Sequence, residues 1–327
     1  MKSRVFQNKV RENGTSMEIN EKAKVLFGRK HKNSFKSDLP FLALLLPAMI
    51  VTLIFAYLPM VGLVLAFEDF DMFKGYLSPL TDHFGFGHFI TIFSEPSIFE
   101  AIWNTFYLNL LGLVINFPAP LIFALLLDEV TRKGFKRTVQ TISYLPYFLS
   151  WISVTGLAIN LLSLYGSINN LLSALGFGRV RFLENPNNFV PIYLILTVWK
   201  GVGWGSIIYL SNISSINSEL YESAQLDGAN RFRQVWHITL PALLPTAMIL
   251  LILNVGQMFG SNFELVYGLQ SNYFDKEVIS TWVYRYGLRD GDYSLSTALT
   301  LLQSVVALVL TLGANKISDK VSSVSMW

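Results

Sequence analysis

The stretch Tyr221–Pro245, YESAQLDGANRFRQVWHITLPALLP, is a polar segment that lies between two long apolar runs. Glu219–Asp227, which overlaps its start, is rich in helix-forming residues and begins with acids, where negative charge suits a helix N-terminus. Gly228 then permits a sharp turn, and Ala229–Ile238 resumes a helical pattern. Because proline is tolerated in the first turn of a helix, Leu240-Pro241 is expected to open the next apolar helix. The stretch therefore predicts a helix, a turn and a second helix that runs into the following apolar segment.

The composition is that of an integral membrane protein. Hydrophobic residues make up 52% of the 327 residues and charged residues only 14%, which is too apolar for a soluble surface. There is no cysteine, and no GxxxxGKS/T phosphate-binding loop is found. The four histidines form no compact set with carboxylates. We therefore expect no catalytic residue, no metal site and no cofactor in this chain.

Six apolar runs are long enough to cross a bilayer as helices, which takes about 20 residues. They are Leu39–Phe67, Ala101–Leu127, Thr138–Leu164, Val190–Ile213, Pro241–Phe263 and Tyr293–Leu312. Prolines within them are interpreted as bends, because neighbouring helices can satisfy the carbonyls that a proline frees. The predicted fold class is an all-α integral membrane protein.

The basic residues predict the orientation of these spans. With the N-terminus inside, the cytoplasmic segments hold 18 of the 25 Lys and Arg residues, and the outer loops hold 6. Because Lys and Arg are enriched on the cytoplasmic side of membrane proteins, both termini are expected in the cytoplasm. The same orientation places Tyr221–Pro245 in the cytoplasm.

Two polar features interrupt the apolar spans. In the fifth run, residues at offsets of 0, 3, 4 and 7 share one helix face: Asn254, Gln257, Met258 and Ser261. Such a stripe either joins helices by hydrogen bonds or lines a hydrated path.

The second feature lies in the fourth run and consists of Trp199-Lys200-Gly201 with Trp204 one turn beyond. Lys200 either faces a cavity or partner group, or extends to the outer surface. In a cavity, the tryptophans would offer apolar ring faces, and Lys200 would bind a hydroxyl group or favour a ligand that carries a carboxylate.

The polar stretch resembles a signature of the inner-membrane permeases of binding-protein-dependent ABC importers. In that signature Glu-Ala-Ala, three residues, Gly, nine residues, Ile, one residue and Leu-Pro follow in order. Here the matching residues are Glu222-Ser223-Ala224, Gly228, Ile238 and Leu240-Pro241, with serine as the one departure. The segments NTFYLN from Asn104, FPAPLIFALLLDEV from Phe117, VQTISYLPYFLSW from Val139 and YGSINNLL from Tyr165 extend the resemblance. They are similar to maltose-type permeases and to permeases for alginate or pectin fragments.

The resemblance implies a six-span type I importer bundle. It implies a basic cytoplasmic tail over 1–38, a membrane domain over 39–315 with a coupling loop over 214–240, and a cytoplasmic tail over 316–327. The implied ATPase-coupling residues are Glu222, Ser223, Ala224, Asp227, Gly228, Ile238, Leu240 and Pro241. The predicted substrate path comprises Trp199, Lys200, Gly201, Trp204, Asn254, Gln257, Met258 and Ser261, of which the resemblance implies Asn254, Met258 and Ser261.

The resemblance also implies partners and a function. The partners are a second homologous permease, two cytoplasmic ATPase subunits and an extracytoplasmic sugar-binding protein. The chain would form half of an oligosaccharide import path in the bacterial plasma membrane, with acidic polysaccharide fragments such as alginate or pectin oligomers as one substrate class. The alternatives are a membrane enzyme that acts on lipid-linked sugars and an ion-coupled carrier.

Overall fold

The computed structural model describes residues 35–75, 78–260, 262–271 and 274–322. The chain divides into two compact units, Met1–Gly62 and Leu63–Trp327. Most of the predicted N-terminal tail and the last residues of the predicted C-terminal tail lie outside the described residues.

The described part of the first unit is apolar helix. Helix α1 (Phe35–Thr52) contains two prolines and is followed by a π-helical turn at Leu53–Tyr57. A 3-10 stretch, Leu58–Phe67, follows and extends past the boundary between the units. The hydroxyl of Thr52 donates to the carbonyl oxygen of Ala48 at 2.8 Å. Back-bonding of this kind, like a proline, bends a helix.

The second unit is built from helices joined by short connections. Its first half contains α2 (Asp82–Gly85), α3 (Gly87–Ser94), α4 (Pro96–Asn116), α5 (Pro118–Asp128), α6 (Lys133–Tyr144), α7 (Trp151–Leu162) and α8 (Ser167–Ala174). Its second half contains α9 (Phe189–Ser214), α10 (Ser218–Leu226), α11 (Arg231–Gln234), α12 (Leu240–Gly256), α13 (Phe263–Leu269), α14 (Ile279–Trp282) and α15 (Tyr293–Ser322). The connections include 3-10 turns at Leu145–Phe148 and Pro186–Asn188 and π-helical turns at Val235–Thr239 and Val283–Arg289.

Six helical segments of the described chain are long and apolar enough to cross a membrane, as predicted. They are Leu39–Phe67, Pro96–Asp128, Trp151–Ala174, Pro186–Ser214, Arg231–Gly256 and Tyr293–Lys320. The first has the predicted bounds, and the others follow in the predicted order. The all-α six-span fold class is confirmed.

The third predicted run, Thr138–Leu164, is wrong as a continuous helix. The α-helix stops at Tyr144, a 3-10 turn follows, and the backbone is extended at the last two residues of Leu145–Ser150. We call Leu145–Ser150 the 145–150 break. Pro146 explains it, because proline has no amide hydrogen and its ring obstructs the preceding helical turn. The span that qualifies by length and hydropathy therefore begins only at Trp151.

Helix α9 is central to the second unit, because it packs against α4, α5, α6 and α12. Near its start, the fully buried Phe189 belongs to a core cluster with Leu265 of α13. Near its end, Tyr209 belongs to a second cluster with Leu243 of α12. These contacts hold α9 against α13 near its start and against α12 near its end.

Candidate functional site

The end of α10 forms the tight turn that the sequence predicts. The amide of Ala229 donates to the carbonyl oxygen of Ala224 at 2.8 Å, and the amide of Gly228 donates to that of Gln225 at 3.0 Å. This pair of bonds is a Schellman motif, which requires a left-handed residue after the helix. Gly228 supplies it with φ of +75°. The predicted turn is confirmed, and α10 itself matches the predicted helix to within one residue at each end.

Side-chain contacts hold this segment to the rest of the second unit. The hydroxyl groups of Tyr221 and the buried Thr239 are hydrogen-bonded at 2.9 Å, which ties α10 to the π-helical turn before α12. The guanidinium of Arg231 lies 3.2 Å from the carboxylate of Glu129, at the end of α5. The segment is therefore held by contacts at Tyr221 and Arg231.

The exposed residues of the segment form a mixed acidic and apolar surface. The carboxylates of Glu222 and Asp227 are exposed, and so are two large apolar side chains, Leu226 at 90% and Phe232 at 75%. Of the other motif residues, Ser223 and Pro241 are exposed, and Ala224, Ile238 and Leu240 are half-buried. A soluble surface gains nothing from two such exposed side chains on one short segment, so a partner is expected to cover them.

A second candidate site is a cavity of about 410 Å³ between α4, α9 and the end of α12. We call it the amide-lined cavity. It is lined by Asn109, Gly112, Leu113, Asn116, Tyr193, Asn254, Gln257, Met258, Gly260 and Asn262. The lining contains no Asp, Glu, His, Lys or Arg among the described residues. The cavity therefore offers hydrogen-bonding groups and apolar surface rather than charge.

The predicted polar stripe reaches this cavity, but not as one helix face. Helix α12 ends at Gly256, so Gln257 and Met258 lie in the turn that follows. A Cβ at Gly256 would lie 2.5 Å from the hydroxyl of Thr311, so this glycine permits a close contact with α15. The helical offset was thus wrong beyond Asn254, although all three described stripe residues line the cavity. The fourth predicted residue, Ser261, lies outside the described residues.

The side-chain amides of the cavity are oriented by backbone contacts. The amide nitrogen of Asn109 donates to the carbonyl oxygens of Thr105 at 2.8 Å and Gly260 at 2.7 Å. That of Asn254 donates to the carbonyl oxygen of Leu250 at 2.8 Å. Both amide hydrogens of Asn109 and one of those of Asn254 are held in this way, and the side-chain oxygens of both residues are acceptors with no hydrogen-bond partner in the described chain. The cavity can therefore accept hydrogen bonds from hydroxyl groups.

The sequence reasoning missed the contribution of α4. Asn109, Gly112, Leu113 and Asn116 stand at offsets of 0, 3, 4 and 7, the same spacing that singled out the fifth run. That signal was available in the second predicted span. Tyr193 gave no comparable signal, because one tyrosine near the start of an apolar run is ordinary.

Lys200 is buried and its ammonium group binds the 145–150 break. The nitrogen lies 2.6 Å from the carbonyl oxygen of Tyr147, 2.7 Å from that of Leu149 and 3.4 Å from that of Pro146. It also lies about 5 Å from the ring centroids of Tyr147 (5.2 Å) and Trp151 (5.1 Å). Lysine at the end of a helix satisfies free carbonyls and complements the helix dipole. The observed partner of Lys200 is thus backbone, and its assignment to the substrate path stays a prediction.

The tryptophans near Lys200 lie outside the lining of the amide-lined cavity, and Trp204 packs against the 145–150 break. Trp204 stacks on Tyr147 with ring centroids 4.5 Å apart and planes 6° from parallel. Phe148 meets the same indole edge-on at 5.6 Å. Trp199 is 39% exposed and Trp204 is 42% exposed, so each keeps a ring face available. Trp199 and Gly201 do not line the cavity either, and their roles stay predictions.

Comparison with known proteins identifies relatives over most of the chain. The family model described as binding-protein-dependent transport system inner membrane component matches residues 116–322. The polygalacturonan/rhamnogalacturonan transport system permease protein YteP of Bacillus subtilis is 42% identical over 280 residues, which are 85% of this chain and 87% of YteP. Protein LplB of the same organism is 40% identical over 291 residues, 88% of this chain and 91% of LplB.

Two solved structures share the fold. One is a bacterial ABC transporter involved in the import of the acidic polysaccharide alginate, with a TM-score of 0.80 and 42% identity over 88% of this chain and 97% of the matched chain. The other is a bacterial alginate ABC transporter in complex with an alginate pentasaccharide-bound periplasmic protein. Its TM-score is 0.81, with 41% identity over 91% of this chain and 100% of the matched chain.

Proposed function

Because the chain belongs to the family of inner-membrane components of binding-protein-dependent transport systems, we propose that it forms half of the membrane path of an ATP-driven oligosaccharide importer. It is a permease subunit and not an enzyme, and the ATPase is a separate chain. Its proposed partners are a second homologous permease, two cytoplasmic ATPase subunits and an extracytoplasmic sugar-binding protein. Family membership favours this function over the membrane enzyme and the ion-coupled carrier.

The proposed substrate is an oligosaccharide released from an acidic polysaccharide. The names of YteP and of the alginate transporter support this class. The observation that carries the proposal is the amide-lined cavity. Its volume of about 410 Å³ lies within the range of roughly 300–1,000 Å³ that is typical of small-molecule sites. Its amide oxygens suit sugar hydroxyl groups, which are hydrogen-bond donors.

The proposed substrate path has two parts. Asn254, Gln257 and Met258 would contact the sugar directly, together with Ser261, which lies outside the described residues. Lys200 would act by holding the 145–150 break, against which Trp204 stacks, and Trp199 and Gly201 are the neighbours of Lys200 in the chain. The lining of the amide-lined cavity carries no basic side chain in the described chain, so a carboxylate of the substrate would be bound outside it.

The proposed coupling site is the exposed surface around α10. Glu222 and Asp227 would pair with basic groups of an ATPase subunit, and Leu226 and Phe232 would be buried in the contact. ATP-driven closure of the ATPase subunits would move α10 and, through the continuous helix Arg231–Gly256, the end of α12 at the cavity. Helix displacement would then open the cavity alternately to each side of the membrane.

The membrane location follows from the family and the six spans, whereas the orientation is a proposal. Both termini are proposed to be cytoplasmic because basic residues concentrate in the corresponding segments. The proposed domains are the tail 1–38, the membrane domain 39–315 with its coupling loop 214–240, and the tail 316–327. A cysteine introduced at Ser223 should react with a membrane-impermeant thiol reagent only in inside-out vesicles.

The test of the proposed path is transport by the complete importer in lipid vesicles. Asn254→Leu and Asn109→Leu each remove one acceptor from the cavity. With a hydrogen bond contributing about 0.5–1.5 kcal/mol, transport efficiency should fall roughly two- to tenfold in each variant. ATP hydrolysis should remain responsive to the binding protein. Asn160→Leu is the matched control, since Asn160 is exposed on α7 and does not line the cavity. Unchanged transport in both cavity variants would overturn the proposed path.

A further inference from the structure

A second cavity lies between α13 and the π-helical turn Val283–Arg289. We call it the tyrosine cleft. Its volume is about 630 Å³, and it is lined by Tyr267, Gln270, Ser271, Asp275 and Arg285. Neither the polar stripe nor the coupling motif accounts for it. The lining combines an aromatic ring with amide, carboxylate and guanidinium groups, which is the mixture that binds a ring with several hydroxyl groups.

Helix α13 holds the tyrosine of this cleft rigidly. Leu265, Val266 and Leu269 are all buried in the core cluster that includes Phe189 of α9. The other side of α13 therefore faces away from the core, and this side carries Tyr267. A site on a helix fixed in this manner keeps its geometry better than a site on a free loop.

The ring of Tyr267 belongs to an aromatic trio. Phe263 stacks on Tyr267 with centroids 5.2 Å apart and planes 18° from parallel, and Tyr284 meets Tyr267 edge-on at 5.2 Å. Phe263 and Tyr284 are themselves 5.1 Å apart, so each ring supports the other two. Tyr267 nevertheless remains 47% exposed. It is thus a braced ring with open surface that borders a polar cavity.

The charge in the cleft is already balanced by its own residues. The guanidinium of Arg285 lies 3.3 Å from the carboxylate of Glu277 and 3.9 Å from that of Asp275. One positive charge is therefore shared by two negative charges. A further carboxylate would be repelled, whereas hydroxyl groups can donate to Asp275 and accept from Arg285. The chemistry of the cleft suits the uncharged part of a sugar ring.

The tyrosine cleft and the amide-lined cavity lie at the two ends of α13. Asn262 lines the cavity and caps the start of α13, where its side-chain oxygen accepts from the amide of Leu265 at 3.2 Å. Tyr267 lies five residues farther along, which corresponds to roughly 7.5 Å of helix. One extended saccharide chain can span that separation with different rings in the two cavities.

We propose that the tyrosine cleft is a second saccharide subsite, in which Tyr267 stacks on one ring of an oligosaccharide whose neighbouring rings occupy the amide-lined cavity. The inference rests on the proposed import function and adds a requirement for chain length. A protein partner fits the cleft less well, because the cleft is concave and polar, whereas protein contacts at exposed aromatic residues are centred on apolar surface. Long oligosaccharides use both subsites, and short ones use the amide-lined cavity alone.

The experiment measures transport of an oligogalacturonide disaccharide and pentasaccharide by the complete importer in vesicles. Tyr267→Ala should raise the KM for the pentasaccharide about two- to tenfold, as expected for loss of one aromatic contact, and leave the disaccharide unchanged. Tyr267→Phe keeps the ring and should behave as the wild type. Tyr165→Ala is the control, because Tyr165 is also an exposed tyrosine but contacts Arg179 and lines neither site.

Two outcomes would overturn the subsite. One is an unchanged KM for the pentasaccharide in Tyr267→Ala. The other is an equal loss for both sugars, which would indicate docking of the sugar-binding protein at the cleft. Failure of the proposed import path is distinguishable, because Asn254→Leu tests it with the disaccharide, which does not reach the cleft.

Discussion

Replacement of Lys200 by methionine tests what the buried ammonium does. Methionine keeps most of the apolar stem but removes the three contacts with carbonyl oxygens of the 145–150 break. Each buried polar group left without a partner costs about 1–3 kcal/mol, and the two carbonyls bound at 2.6 and 2.7 Å would be the most affected. Removal of a buried charge offsets part of this cost. We expect a net loss of about 2–3 kcal/mol from the local structure.

The loss should appear as a lower melting temperature of the purified importer. Because the break supports the stacked ring of Trp204, transport of neutral and acidic oligosaccharides should fall in the same proportion. The assay compares initial rates for a neutral and an acidic oligosaccharide of equal length in reconstituted vesicles. Lys74→Met is the matched control: the Lys74 side chain is 60% exposed and its nearest carboxylate, on Asp71, is 3.9 Å away. Such a surface pair contributes at most about 1 kcal/mol.

One result would refute this reasoning. If Lys200→Met melted at the wild-type temperature and lost only acidic oligosaccharides, the ammonium would be a substrate-binding group. The hypothesis that Lys200 favours acidic sugars would then hold, and the carbonyl contacts would be exchanged for the substrate during transport.

Two further predictions concern the coupling turn and the cleft. Gly228→Val should uncouple ATP hydrolysis from transport or prevent assembly, because valine is strained at φ of +75°. Gly228→Asn should be tolerated, since asparagine adopts the left-handed backbone conformation. Equal activity of the two variants would contradict a role of the left-handed turn in coupling. Burial raises the pKa of Glu277 above 4.5, and Arg285 only partly opposes this. The folded state then binds the proton of the Glu277 carboxyl group more tightly than the unfolded state does. The stability that this proton provides is therefore lost as the pH rises from 4.5 through the pKa of the folded state. The melting temperature of Glu277→Gln should therefore rise relative to that of the wild type over this pH interval. A difference in melting temperature that does not change with pH would contradict the raised pKa of Glu277.

Local sequence patterns predicted the features that depend on local chemistry. Apolar length is a property of each segment, so the number and order of the six spans followed from the sequence alone. The turn at Gly228 was predictable because the left-handed conformation favours glycine. The polar face of α4 was equally predictable from the spacing of Asn109 and Asn116, which is the spacing that indicated the stripe of the fifth run.

Tertiary contacts decided the features that the sequence did not reveal. Pro146 signals a break, but the group that satisfies the freed carbonyls is Lys200, more than 50 residues later in the chain. Gly256, at the end of α12, likewise lies close to Thr311 of another helix, a contact that the local sequence does not reveal. Periodicity extended through Gly256 therefore assigned Gln257 to a helix face, although it lies in a turn.

The π-helical turn at Val235–Thr239 affects which way the side chains of α12 face. A π turn bonds each residue to one position farther than an α turn, so this extra residue rotates everything beyond it by about 100° about the helix axis. The number of residues between Gly228 and Ile238, which is nine, thus sets both the position of Asn254 along the helix axis and the direction in which its side chain points around that axis. An insertion or deletion in that interval would turn Asn254 out of the cavity while leaving every residue of both sites intact. The spacing therefore sets the rotation of α12 that connects the proposed coupling site to the proposed sugar site.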